Sequence, residues 1–226
     1  MPRRFFLSVL ILLAHAGSAQ EVLRGQVFVD REPLYALSPE DAYPLDAETV
    51  RRRALEETSF LFAAMIYGWD FTCEVGERAR GTAPDLALER RGGLGAGDAR
   101  LRVTDARLDG QRFSLWADYR LSDSQRRRME QWRSGQLRTM QATGRAPLSW
   151  PGEAASWLAG KEAALEDAAL TGLRELLRGR ERNRPRAARG RLALAEFPRF
   201  YFDQGQWAAS ARFRVEITEI EPYAVY

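Results

Sequence analysis

The chain has 226 residues, with 34 basic and 31 acidic side chains, one histidine and one cysteine. A single cysteine excludes an internal disulfide, and a net charge of +3 excludes a polycation of the kind that coats nucleic acid. A hydrophobic content of 45% predicts a packed globular domain and not a disordered chain.

The first 19 residues have the pattern of a secretory signal peptide. A positively charged start and an apolar core, residues 5–16 (FFLSVLILLAHA), are followed by small residues that allow cleavage after Ala19. The apolar core is too short to span a bilayer comfortably. We expect a periplasmic or secreted mature protein. The alternative is an uncleaved anchor that tethers the protein to the membrane.

Removal of residues 1–19 would reduce the set of side chains that could serve in catalysis or metal binding. Two arginines and no acid would leave, so the balance would become 32 − 31 = +1, and His15, the sole histidine, would leave too. Histidine is the most frequent general base near neutral pH and a common metal ligand. Lys161 is the only lysine, so it is the only side chain that could form a Schiff base. Cys73 is likewise the only possible thiol nucleophile. We therefore expect no cofactor and no metal, and the sequence leans towards a protein that is not an enzyme.

The order of helix-like and strand-like segments predicts an α+β fold. We expect a mostly antiparallel sheet of five to seven strands with two principal helices packed on one face. Residues 20–45 are predicted to form a leader with one strand near 22–29 and a proline-rich loop, and residues 46–226 a single domain. Asp46 is placed to cap the first principal helix, predicted over about 47–66.

Residues 67–75 (YGWDFTCEV) alternate between apolar and polar side chains, which predicts a half-buried strand. Cys73 shares the apolar face with Trp69, so we expect a packed thiol with no histidine to activate it. Asp70 and Glu74 share the polar face, where they are candidates for binding a polar ligand or for acid–base work. The alternative is a solvated surface.

Further strands are predicted after this segment. Residues 86–90 (LALER) resemble a strand, and the glycine run at 92–97 is interpreted as a connecting loop. A phosphate-binding loop would need a helix N-terminus after it, and here a strand follows. Residues 101–121 are the clearest hairpin, since Asp109-Gly110 is a strong signal for a two-residue turn.

Two helices are predicted in the second half of the chain. Ser122 and Gln125 match a capping box, which opens a peripheral helix over about 123–142. The longest helix is predicted over about 152–179, where leucine and alanine side chains form a continuous stripe. This stripe makes the second helix the other principal helix of the fold.

The segment after the longest helix is rich in arginine. Eight arginines and two glutamates fall between residues 174 and 191, an excess of 8 − 2 = 6 positive charges. One interpretation is an anion-binding patch, with Arg182, Arg184, Arg186 and Arg189 as candidate binding residues. The alternative is a solvated helix end, since positive charge near a helix C-terminus complements the helix dipole.

Residues 192–220 are predicted to form a second hairpin-like unit that resembles the first. Both units turn at an aspartate close to a glycine and a glutamine, and both leave through an aromatic-rich alternating strand. One interpretation is an internal duplication of a helix-plus-hairpin unit, with halves 46–121 and 150–220. The alternative is that antiparallel hairpins resemble one another in general.

These features favour an exported, non-enzymatic protein that binds a ligand or another envelope component. The expected partner is an unknown envelope protein or an anionic ligand, and not nucleic acid. One alternative is a carboxylate-based hydrolase acting on envelope glycans, with Asp70 or Glu74 as acid or base. Another is a membrane-tethered accessory subunit whose arginine patch faces anionic lipid.

Overall fold

The computed structural model describes residues 21–33, 42–76, 81–135, 137–147, 157–178 and 185–222. Its helices are α1 (Ala47–Ile66), α2 (Asp123–Arg133) and α3 (Ala159–Arg178). The strands in the described ranges are β1 (Val22–Asp30), β2 (Trp69–Glu74), β3 (Asp85–Arg90), β4 (Leu101–Asp109), β5 (Arg112–Arg120), β6 (Arg138–Pro147), β7 (Pro185–Leu194), β8 (Arg199–Asp203) and β9 (Gln206–Pro222). All the strand pairs formed are antiparallel, which confirms the predicted α+β fold.

The strands form two sheets where the sequence predicted one. The smaller sheet has the order β1-β5-β4, and the larger has the order β3-β2-β7-β9-β6, with β8 paired to one end of β9. The reason lies in α1, whose buried residues include the consecutive runs 57–59 and 61–66. Such runs bury more than one side of the helix, so α1 is covered by both sheets.

The two principal helices lie on one face of the larger sheet, as predicted, and α1 lies between this sheet and the smaller one. Phe60 of α1 and Leu165 of α3 line the same small cavity over the larger sheet, together with Leu192 and Phe213. α1 also packs against β1 and β5 of the smaller sheet. The strand predicted in the leader, β1, pairs with β5 along its whole length and so belongs to this core.

The first principal helix and the strand that follows it match the sequence closely. Asp46 caps α1 by accepting a hydrogen bond from the Thr49 backbone N–H at 2.7 Å. β2 alternates strictly between buried and exposed residues, and Cys73 is fully buried. The predicted packed position of Cys73 is therefore confirmed.

The helix predicted over 123–142 is shorter, because it ends at Arg133 and the chain then enters β6. The capping box of Ser122 and Gln125 is present as predicted. After a turn that contains Gly135, alternate residues of β6 are buried against α3, including Met140, Ala142 and Ala146. Pairing with β9 along ten positions outweighs the weak helical pattern of this segment.

The arginine-rich segment also differs from the prediction. Residues 185–191, expected to be a connection, form the first part of β7, which lies between β2 and β9. The second hairpin-like unit therefore starts inside β7 and contains a further strand, β8. Strand formation here depends on two long-range partners, which local sequence does not reveal.

Both hairpins have two-residue loops, and the first loop is Gly110-Gln111, one residue later than the predicted Asp109-Gly110. Gly110 has a positive φ of 57° between β4 and β5, and Gln204 and Gly205 have φ values of 51° and 76° between β8 and β9. The first hairpin lies in the smaller sheet and the second in the larger one. Whether they descend from a duplication stays a prediction.

Candidate functional site

A cleft with a volume of about 870 Å³ lies between the two sheets, along β1 and β8. β1 contributes Gln26, Phe28 and Asp30 to one wall, and residues 198–202, which contain most of β8, form the facing wall. Lys161 of α3 and Trp207 of β9 also line it. Its size is within the range of pockets that hold small ligands or short peptide segments.

The facing wall is held in place by a close contact between Phe197 and β1. A Cβ atom on Gly25 would lie 2.1 Å from Cε2 of the Phe197 ring, so only glycine allows the ring to pass beneath β1. The Phe197 ring continues into the core, with its centroid 5.0 Å from that of Phe62. This contact fixes residues 198–202 beside β1.

Lys161 forms a buried ion pair at the inner end of the cleft. Its Nζ lies 2.6 Å from Oε2 of Glu57 on α1, and the two side chains are only 6% and 3% exposed. The same Nζ lies 5.2 Å from the ring centroids of three aromatic side chains, within the range of cation–π attraction. These side chains are Trp157, Phe200 and Trp207.

The ion pair is part of a polar layer where α1 crosses the start of α3. The Trp157 indole N–H donates to Oε2 of Glu56 at 2.7 Å, which places its ring beside Lys161. The stem of a lysine is slender and its charge is compact, so the ammonium reaches a buried carboxylate between rings where a planar guanidinium is bulkier. The one lysine of the chain thus occupies a position suited to lysine.

Among the described strands, β1 pairs only with β5, so its other edge is unpaired within this part of the chain. The Arg31 backbone N–H donates to the Gln111 carbonyl at 2.8 Å, and the Leu121 N–H donates to the Glu21 carbonyl at 3.1 Å. Bonded and non-bonded pairs alternate in an antiparallel ladder, so the odd-numbered residues of β1 bond to β5. The even-numbered residues therefore turn their backbone N–H and C=O groups to the other edge. Three of them line the cleft: Gln26, Phe28 and Asp30.

β8 forms most of the facing wall. Within the described strands it pairs only with β9, and Asp203 and Gln206 close the turn between them. Because the closing pair of a two-residue hairpin loop is bonded, Phe200 and Phe202 direct their backbone groups away from β9. The Phe202 ring stacks on Trp207, with centroids 4.0 Å apart.

The cleft carries charges of both signs at its rim. Asp30 and Arg112 form an ion pair at 2.9 Å, and the Arg112 guanidinium lies 5.9 Å from the Phe28 ring centroid. Phe28 itself is 47% exposed. Glu32 and Arg199 have no ion-pair partner among the described residues.

A second, smaller cavity of about 290 Å³ lies beside the predicted glycine loop. Gly92 packs on the Tyr67 ring, and the Ser59 hydroxyl donates to the Gly95 carbonyl at 3.3 Å, so the loop lies on α1. A strand follows the loop, as expected, so the loop itself does not lead into a helix. The cavity is a gap between the loop, α1 and the first turn of α3, which contributes Glu162 to its lining. The loop therefore lacks the strand–loop–helix order of a phosphate-binding loop.

Arg90 and Glu162 form an ion pair at 2.7 Å near this cavity. Burial raises the pKa of the nearby Glu166, the neighbouring Glu162 charge raises it further, and Arg90 opposes both effects. A carboxyl group with a raised pKa is a feature of some acid catalysts and also of packed surface helices. This arrangement alone does not define a reaction.

The candidate residues of the sequence lie elsewhere, on what we name the polar face. The polar face is the outward side of β2, β7 and β9, and it includes Asp70, Thr72, Glu74, Arg189, Arg191, Glu216 and Glu219. Asp70 is 60% exposed and pairs with Arg91 at 3.3 Å. None of these residues lines either of the two cavities described above.

Of the four candidate arginines of the predicted patch, the two that are described each have an acidic partner. Arg186 lies 3.1 Å from Glu221 and Arg189 lies 3.2 Å from Glu219. These cross-strand partners come from β9, so the local count of six excess charges overstates the free charge. Arg182 and Arg184 lie outside the described residues, as does the predicted signal peptide. An anion-binding role for this segment stays a prediction.

Sequence reasoning did not select the cleft. Lys161 was treated only as a limit on chemistry, although a single lysine in an arginine-rich chain is an unusual choice. The rings at 200, 202 and 207 cluster around one turn of the sequence, but their proximity to β1 depends on the packing of two sheets. The single lysine of an arginine-rich chain was the signal available.

Two features of Cys73 and the described acidic residues bear on redox and metal chemistry. Burial raises the pKa of the Cys73 thiol to about 11, which keeps it protonated at neutral pH. Within the described ranges, no group of three or more histidine, cysteine, aspartate or glutamate residues could hold a metal ion. Over the same ranges, none of the helices combines the length and apolar character needed to cross a membrane.

The similarity of this chain to known proteins covers most of its length. A protein-family model matches residues 12–223, a span that contains both sheets and the whole cleft. The chain belongs to that family. It is similar to a protein of Treponema pallidum (strain Nichols) described as uncharacterized, with 26% identity over 168 residues, which are 74% of this chain and 68% of the relative. No solved structure matches the chain.

Proposed function

We propose that the protein is an exported, non-enzymatic binding protein of the cell envelope whose ligand occupies the cleft between β1 and β8. The observation that carries this proposal is the aromatic lining of the cleft around the buried pair of Lys161 and Glu57. The proposal of export depends on the signal-peptide pattern of residues 1–19.

The exposed rings of the cleft supply the binding energy. Phe28 and Tyr201 are 47% and 42% exposed, although both line a concave surface. Covering such rings yields about 25 cal/mol for each Å² removed from water. Rings that line a cleft beside charged groups at its rim are typical of binding sites with an apolar centre and a few polar contacts.

The polar groups of the cleft suit binding better than catalysis. Lys161 is engaged by Glu57 and enclosed by three rings, so it lacks the free amine that a Schiff base requires. Asp30 pairs with Arg112 at the exposed rim. A ligand would therefore meet a preorganised centre around Lys161 and an exposed ion pair at the rim.

The proposal is tested by capture from envelope extract of the source organism. The mature protein is immobilised alongside two variants, Phe28→Ser in the cleft and Leu108→Ser on β4. Both side chains are about equally exposed, at 47% and 53%. We expect Phe28→Ser to lower retention of specific ligands about tenfold, since it removes roughly 1–2 kcal/mol of ring burial. Leu108→Ser should retain them like the wild type.

Retention that is identical for all three proteins would overturn the proposal. Loss of retention with Leu108→Ser and not with Phe28→Ser would move the site to the exposed side of β4. Unfolding curves in urea serve as the control that both variants are folded.

The two alternatives have less support. A hydrolase would need a substrate to approach Asp70 or Glu74, and both lie on the polar face away from the cleft. Loss of glycan cleavage in Asp70→Asn or Glu74→Gln would revive that interpretation. The membrane-tethered alternative would be revived by a mature protein that retains residues 1–19 in a membrane fraction.

A further inference from the structure

We infer that the ligand of the cleft is an extended peptide segment of another protein, which adds as a strand to the free edge of β1. This inference rests on the proposed function of the cleft and names the chemical class of its ligand. Strand addition to a sheet edge is a recurring mode of peptide recognition, in which backbone hydrogen bonds provide affinity and side-chain pockets provide specificity.

The first observation is the set of backbone groups that face the cleft. Gln26, Phe28 and Asp30 each direct an N–H donor and a C=O acceptor to the unpaired edge. The spacing of these groups, at every second residue, matches the hydrogen-bonding side of another β-strand. A glycan or a lipid has no regular series of donors and acceptors with this repeat.

The second observation is the regularity of this edge. The pairing of β1 with β5 runs without a break from Val22 to Asp30. β4, at the opposite edge of the same sheet, has a register shift between Val103 and Asp105. Bulges and charged side chains are devices by which proteins protect a sheet edge from adding strands. β4 has a register shift of this kind, whereas the pairing of β1 has none, and the charge of Asp30 lies at the end of the strand.

The third observation is the opposite wall, which would cover the added strand. Phe200 and Phe202 lie there with their own backbone groups turned away from β9, and Trp207 lies next to them. Side chains on one face of the added strand would meet these rings. At the rim, Glu32 offers a site for a positive group and Arg199 for a carboxylate, so a peptide with charges of both signs is favoured.

The test begins with selection of linear 12-residue peptides from a random displayed library on the immobilised mature protein. Selected peptides are synthesised and their affinities measured for wild type, Gln26→Ala and Gln26→Pro. Proline at 26 removes one N–H from the cleft edge and none from the β5 ladder, and the preceding Gly25 tolerates it. Gln26→Ala removes the side chain and keeps the N–H. Arg24→Pro, on the same edge outside the cleft, is the matched control.

We expect Gln26→Pro to weaken peptide binding about tenfold, and Gln26→Ala and Arg24→Pro by less than about threefold. A second measurement leaves the protein unchanged. The selected peptides are resynthesised as two N-methylated series, one methylated at the odd-numbered and one at the even-numbered backbone nitrogens. An added strand bonds to β1 at every second residue. One series should therefore lose about tenfold or more in affinity, and the other should bind like the parent peptide.

Equal binding of both N-methylated series, or recovery of no peptide whose binding Phe28→Ser weakens, would overturn the inference. Tight binding of a soluble glycan, chitotetraose, would also overturn it if Phe28→Ser abolished that binding and Gln26→Pro left it unchanged. In that case the cleft would still be a binding site, but its ligand would be a glycan and not a peptide. Capture indifferent to Phe28→Ser would remove the function itself.

Discussion

On the polar face of the larger sheet, charged side chains stand in pairs across neighbouring strands; in the cleft, a single charged pair is buried beneath aromatic rings. Arg189 and Glu219 are 59% and 60% exposed, whereas Lys161 and Glu57 are 6% and 3% exposed. The same chemistry, an ion pair, therefore serves two purposes. Exposed pairs contribute about 0–1 kcal/mol and keep the surface soluble.

The buried pair is different because neither partner can be removed alone. A lone charge left in an apolar site costs several kcal/mol, while a pair holds its geometry firmly. In the cleft this rigidity fixes Phe200, Trp157 and Trp207 around one point. The run of arginines in the sequence therefore indicated a binding site less well than the single buried charge of Lys161 does.

Lys161→Met should have the largest effect on stability. It leaves the Glu57 carboxylate buried without its partner, and we expect a loss of about 3–5 kcal/mol in the free energy of unfolding. The double variant Lys161→Met/Glu57→Leu should recover most of this loss, since no charge then remains. Urea unfolding of the three proteins measures both values. A single variant within 1 kcal/mol of wild type would contradict the account of the buried pair.

Substitution of Cys73 should have a smaller effect on stability, and its thiol should react slowly in the folded protein. With a thiol pKa of about 11, roughly one part in a thousand is thiolate at pH 8, and the group is also buried. Maleimide should therefore label Cys73 slowly in the native protein and rapidly in urea. Cys73→Ala should cost about 1 kcal/mol through a small cavity and leave peptide capture unchanged. Rapid labelling of the native protein would show that the thiol is accessible.

Glu166→Gln should stabilise the protein slightly at neutral pH. The pKa of Glu166 is raised in the folded state, so folding favours its protonated form. Its contribution to stability is present below the ordinary carboxyl pKa and is lost as the pH rises through the raised value. The variant should thus unfold at a higher temperature than wild type at pH 7, and the difference should vanish near pH 3. Thermal unfolding at the two pH values measures this; a larger difference at low pH would reverse the sign.

The polar face should give the smallest effect. Arg189→Gln breaks one exposed pair with Glu219, and we expect a change within about 0.5 kcal/mol in the free energy of unfolding. Arg186→Gln, which breaks the pair with Glu221, is the parallel case. Peptide capture should be unchanged in both variants. If either one abolishes capture, the functional surface extends to the polar face and the contrast between the two regions fails.

The sequence predicted those parts of the fold that depend on local pattern. α1 and β2 follow from an Asp46 cap and from alternation over 67–75, because both signals lie within one element. β6 was missed because its residues have no strong alternation of large apolar side chains, and its strand form depends on β9. The arginines of β7 were misjudged for the same reason, since Glu219 and Glu221 lie about thirty residues away.

The cleft could not be predicted from local sequence pattern, because it forms between strands that are distant in the chain. β1 and β8 are separated by most of the chain, and they become neighbours only because α1 holds the smaller sheet against the larger one. The edge groups of Gln26 and Phe28 become functional through this arrangement, since an unpaired backbone group has no signature in its side chain. Only Lys161, as the one lysine, marked the region in the sequence.

Photo-crosslinking in the cell of origin tests most directly whether the cleft and not the polar face binds a partner. A benzoyl-phenylalanine is placed at Phe28, in the cleft, or at Thr72, on the polar face, and each protein is irradiated and its adducts are sized and identified. The account predicts a discrete adduct from position 28 and none from position 72. Adducts from position 72 with none from position 28 would contradict it.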